Sequence, residues 1–157
     1  MNRDGRWRGP AIAAPLATAL VTALALSGTP GCAHRTGPPA ISRGTPCVTC
    51  GMGVEDPRFA CERNADGRFK VYDSIECLLQ EAGPAVPTAG VYLTDYDQGT
   101  LHPADSLWIV KGAFPTPMGG GLAAFASRAA AEEVASRTEG RVGRLAELSA
   151  PPSGGAR

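Results

Sequence analysis

Twice between residues 46 and 149 the polarity pattern reads strand, strand, helix, strand. In both copies the second strand runs directly into a serine placed to cap the helix. In the first copy, residues 58–63 and 68–73 alternate in polarity as half-buried strands do. The Asn-Ala-Asp-Gly stretch at 64–67 between them is turn chemistry, with Asp-Gly its strongest signal. Ser74 stands as the N-cap of a helix whose apolar face is Ile75, Leu78 and Leu79, with Glu76 and Glu81 on the polar side. Gly83-Pro84 ends that helix, and residues 91–96 supply a third strand. In the second copy, 106–111 is a strand, 115–120 a loop and 122–125 a strand. Ser127 caps a run of good helix formers over 128–138, Gly140 stops it, and 141–146 closes as a strand. Identity between the copies is low, so the repeat is one of pattern. The expected fold is α+β, two ββαβ units in tandem, over 46–97 and 98–149.

What flanks this domain reads as delivery apparatus. Arg3, Arg6 and Arg8 make a charged start, residues 11–26 an apolar run, and 27–31 a small, turn-prone end. The run is short for a bilayer span, which needs about 20 apolar residues, so 1–31 is expected to be a cleaved signal peptide. Cys32 then stands where a lipoprotein signal places its acylated cysteine. Residues 32–45, with Gly37, Pro38, Pro39, Ser42 and Gly44, have the Gly/Pro/Ser-type composition of a flexible tether, and 150–157 read as a disordered tail. Without Arg3, Arg6, Arg8 and Asp4 the chain keeps 12 basic and 14 acidic side chains, a net of −2. No basic stripe stands out, which argues against nucleic-acid binding. An apolar content of 43% is ample for a core.

The chemistry is concentrated in Cys47-Val-Thr-Cys50-Gly-Met52-Gly-Val54, which puts two thiols and a thioether within six positions. Thiolate and thioether are soft donors, and soft donors select Cu(I) over ions that prefer oxygen. Beyond the signal, Met52 and Met118 are the only methionines, and both sit in loops of Gly and Pro, whereas a packing methionine belongs on a helix or strand. Cys50, Met52, Met118 and Cys47 are therefore the candidate metal ligands. They can meet only if a loop from each unit reaches the same end of the molecule.

Other readings compete. Structural zinc takes four ligands, commonly two cysteine pairs, and Cys61 and Cys77 are too far apart in sequence, inside regular structure, to make a second pair. A thiol–disulfide oxidoreductase using Cys47 and Cys50 would open a helix after the motif, yet Gly51 and Gly53 follow. A structural bridge, Cys47–Cys50 or Cys61–Cys77, suits an exported protein. His34 falls in the tether and His102 in a loop; either could supply a further donor, and both read first as incidental. Asp73, Glu76, Asp95 and Asp97 read as solvated surface or caps. No hydrolase or phosphate-loop motif occurs.

Cys-Gly-Met at 50–52, Tyr-Asp-Ser-Ile-Glu-Cys-Leu-Leu at 72–79 and Thr-Pro-Met-Gly-Gly-Gly-Leu-Ala-Ala-Phe at 116–125 resemble the NosL family. The likeness extends over roughly 45–149 and includes an N-terminal lipoprotein cysteine. It implies a Cu(I)-binding lipoprotein of the periplasm or cell envelope, held to the membrane by its lipid anchor and acting without catalysis. It also implies a copper chaperone for the copper–sulfur centre of nitrous oxide reductase, or for another copper-accepting protein, working beside a membrane copper or ABC transport complex. The fold implied is a pair of ββαβ units like the organomercurial lyase core. The ligands implied are Cys50, Met52 and Met118, with Cys47 beside them.

Overall fold

The computed structural model describes residues 37–83 and 85–149. The expected signal peptide, Cys32, His34 and the expected C-terminal tail lie outside the described residues. The first sheet has the order β2-β1-β3-β4, built from β1 (Cys61–Ala65), β2 (Arg68–Tyr72), β3 (Val91–Thr94) and β4 (Leu101–Pro103). Every pairing in it is antiparallel. Ala65 faces Arg68, leaving Asp66-Gly67 as a two-residue loop with φ of 52° and 79°, the sign both positions of a type I′ turn need. Helix α1 (Ile75–Ala82) connects β2 to β3, and Ser74 Oγ accepts the N–H of Cys77 as its cap. The second sheet has the order β6-β5-β7, from β5 (Trp108–Lys111), β6 (Leu122–Phe125) and β7 (Arg141–Gly143). Helix α2 (Arg128–Arg137) links β6 to β7, with Ser127 Oγ accepting the N–H of Ala130. Two ββαβ units are thus present in the expected order.

Four details differ from the pattern reading. Residues 58–60 are not strand: Asp56 accepts the Arg58 N–H, and Phe59 N–H donates to Asp56 O, so Asp56-Pro57 starts a turn and β1 begins at Cys61. An unanticipated strand, β4, adds to the edge of the first sheet. The closing strand stops at Gly143. Glu147 reaches back to the Arg144 N–H in the manner of a capping box, which starts α3 (Leu145–Ser149). The end of the expected tether is also packed: Gly44 N–H donates to Val54 O, and Pro38, Ala40 and Ile41 line a cavity of about 300 Å³ with Thr94 and Leu101.

The main core lies between α1 and the two sheets, joining Tyr72, Ile75, Leu78 and Leu93 to Ile109, Leu122, Leu145 and Leu148. A second cluster, Val110, Ala123, Phe125, Ala131 and Ala135, fills the space under α2. Asp95 stitches the sheets. It bridges in parallel to Ala124, its Oδ1 accepts the Ala126 N–H, and Tyr96 N–H donates to Ala124 O. Asp95 is therefore a buried junction and not a solvated carboxylate. Cys61 faces α1, whereas Glu62, next along β1, points to the opposite face. There Glu62 is 1% exposed with Oε2 unpartnered, and burial pushes its carboxyl up to about 7. Among the described residues, no helix is long and apolar enough to cross a membrane.

Candidate metal centre

Residues 44–54 fold back on themselves. Gly44 N–H donates to Val54 O, Val54 N–H to Thr45 O, and Cys47 N–H to Met52 O, with Pro46 and Gly53 paired as an antiparallel bridge. At the tip Gly51 N–H returns to Cys47 O and Gly51 takes φ 74°, a left-handed turn that a side chain would strain. No helix follows Cys50, so the geometry that activates an oxidoreductase cysteine pair is missing here.

Two bonds fix this knuckle to the body of the domain. Val48 N–H donates to Val71 O of β2, and Thr49 Oγ1 donates to Cys77 O in the first turn of α1. The outcome is a cluster absent from the sequence reading: the Sγ atoms of Cys47, Cys50 and Cys77 all lie within 4.8 Å of one another. From sequence, Cys77 reads only as a partner of Cys61, set aside as a zinc pair and kept as a bridge. All four described cysteines are free, and Cys61 Sγ is instead directed at Ser74 O, 3.5 Å away. The usable signal was Cys77's place three residues after a capping serine, where the chain leaves a central sheet.

The thiols are electrostatically unequal. Burial pushes Cys47 up, but backbone N–H groups of Cys50, Asp73 and Thr49 directed at its sulfur outweigh this and hold it below the ordinary thiol value. Burial first, and then its neighbour Cys47, push Cys77 up to about 12. One negative charge is thus favoured on Cys47, and a second nearby is resisted until a cation is present.

The second loop reaches the same end. Glu76, expected on the polar side of α1, is half-buried, and its Oε1 accepts Thr116 Oγ1 at 3.1 Å and Leu122 N–H at 3.2 Å. The loop between β5 and β6 is so tied to the helix turn that also carries Cys77. Met52 and Pro117, the residue before Met118, line one cleft of about 130 Å³ together with Gly53, Glu55 and Asp73. Met52 is 51% exposed and Met118 39%, so both thioethers lie open while Cys47 and Cys77 are buried. Asp73, taken from sequence as surface, is also buried with Oδ1 unpartnered. Burial pushes its carboxyl above the usual range, as do the charges of Glu55 and Glu76, although an N–H of Glu55 opposes them. His102 lies on β4, where its Nε2 shares a 2.9 Å hydrogen bond with Thr100, and it takes no part in the cysteine cluster.

A two-unit α+β domain with three thiols converging on one rim defines a small module able to hold a metal ion. Residues 38–151 match the NosL family, and the chain belongs to that family. Its fold is shared with the crystal structure of the copper chaperone NosL from Shewanella denitrificans, at a TM-score of 0.57 and 19% identity over 69% of this chain and 92% of that one. A comparison with curated proteins gives no match.

Proposed function

We propose that this chain is a Cu(I)-binding copper chaperone of the cell envelope, taking up monovalent copper as cargo through Cys50, Met52 and Met118 with Cys47 beside them. The observation that carries the reading is the meeting of the knuckle and the Met118 loop on the first turn of α1. Soft sulfur donors of graded exposure suit transfer. An incoming soft ligand reaches the open thioethers before the buried thiolate lets go, so copper is never released to water. The work is binding and handover, not turnover. The signal segment and Cys32 support export and lipid anchoring. Family membership supports a copper-accepting client, here proposed as nitrous oxide reductase or a related cuproenzyme, served alongside a membrane transport complex.

Anaerobic competition against a chromophoric cuprous chelator tests the reading. Wild type should take one Cu(I), and Cys50→Ser and Met118→Ala should each weaken it by roughly tenfold or more. Unchanged affinity in both variants would remove the proposal. Mass spectrometry of the membrane fraction tests the anchor, which falls if the mature N-terminus carries no lipid on Cys32.

A further inference from the structure

Cys77 lies outside the ligand set just proposed and, although buried in the main core, is held by more than packing. It sits in the first turn of α1, with its N–H held by Ser74 Oγ and its carbonyl held by Thr49 Oγ1 from the knuckle. Both restraints act on its own backbone, so the helix and the knuckle are registered against each other at this residue. The knuckle is itself pinned, by Val48 N–H to Val71 O and by Gly51 N–H to Cys47 O, so Cys47 and Cys50 are held over that turn.

We infer that Cys47, Cys50 and Cys77 form an inner three-thiolate position for a thiophilic closed-shell cation, Cu(I) or Zn2+, with Cys50 shared between it and the outer thioethers. Three thiolates about 2.3 Å from a trigonal ion stand about 4.0 Å from one another. The sulfurs here already lie within 4.8 Å, so loading requires rotamer adjustment and no backbone rearrangement. Binding releases to solvent the protons still held by the three sulfurs and forms three metal–sulfur bonds, with no change of oxidation state. The N–H groups around Cys47 offset part of the negative charge left on the cluster. Cys61 is a built-in control: it is as buried as Cys77 and in the same core, yet its thiol is directed at Ser74 O and stays outside the cluster.

For copper the inference rests on the chaperone reading; for a divalent ion it does not, and the test uses both. Full-length protein is titrated with Cd2+, a Zn2+ stand-in with a visible thiolate charge-transfer band, and separately with Cu(I) against a chelator. X-ray absorption counts the bound sulfurs. With Cd2+, wild type should show three thiolates. Cys77→Ala should lose one and bind roughly tenfold or more weakly, while Cys61→Ala should match wild type. A Cys77→Ala protein with the wild-type thiolate count and affinity for both ions overturns the inference, as does equal weakening by Cys61→Ala. If Cd2+ binds through Cys77 while Cu(I) does not bind at all, the inner position stands and the copper reading falls. If Cu(I) and Cd2+ both bind independently of Cys77, the reverse holds. Should Cys77→Ala not fold, pulsed alkylation of Cd2+-loaded wild type in subdenaturing urea decides. Protection of Cys47, Cys50 and Cys77 but not Cys61 supports the position, and labelling of Cys77 as fast as Cys61 refutes it.

Discussion

Replacing Glu76 by alanine should uncouple the Met118 loop from the helix that carries Cys77. Glu76 Oε1 accepts two hydrogen bonds, from Thr116 Oγ1 and from the Leu122 N–H. Bonds to a charged acceptor contribute about 1.5–3 kcal/mol each. Against that, Oε2 of the same carboxylate is buried without a partner, and removing it returns about 1–3 kcal/mol. At mid-range the net loss is about 2.5 kcal/mol, felt in the loop and at the start of β6, where the two bonds end. If copper needs the ordered loop, its affinity falls by up to roughly 30-fold for a 2 kcal/mol loosening. Glu76→Gln keeps an acceptor at Oε1, though an uncharged one, and should lose less than Glu76→Ala in both respects. Native-state hydrogen exchange at the Leu122 amide reads the loop directly, and chelator competition reads the affinity. Full protection of that amide in Glu76→Ala would show that the carboxylate does not hold the loop.

Two other perturbations test the surrounding frame. Glu62 is protonated more readily folded, at about 7, than at its ordinary value of 4.5. Its contribution to stability is therefore fully present below about pH 4.5, falls by about 3 kcal/mol as pH rises to about 7, and is flat above that. Glu62→Gln should then gain over wild type in urea melts at pH 8 and not at pH 4, and a pH-independent difference would contradict the assignment. Gly121→Ala should lower stability by at least about 2 kcal/mol, since Gly121 has φ 69° and an added Cβ would press onto Gly112 O. A melting temperature equal to wild type would count against that close approach.

The repeat was legible because it is local. Serine caps and an Asp-Gly turn are written in adjacent residues, and both reappear in the structure, whereas the burial along β1 and β2 does not alternate as their polarity suggests. The run of soft donors at 47–52 was legible for the same reason. What escaped is non-local. Strand β4 is three residues long and exists through its pairing with β3, which composition does not record. Glu76 looks like a surface residue on a helical wheel, because the loop that covers it comes from 40 positions away. Asp73 and Asp95 were read by their charge, but the junctions that bury them are tertiary. Cys77 was lost to its helix assignment. Its place in regular structure argues against a second cysteine pair, whereas here the first turn of the capped helix is where the knuckle arrives.

The twin caps show how one scaffold came to hold a sulfur on one side only. Ser74 accepts the amide of Cys77 and Ser127 that of Ala130, at the same step from the serine. A single architectural slot is thus occupied by a thiol in one copy and a methyl in the other. Writing Cys at 130 would test whether the slot itself, or the loops that lean over it, makes a thiol useful; with no knuckle above it, the duplicate should stay chemically mute. Asymmetry within a symmetrical plan leaves one half to grip and the other to brace.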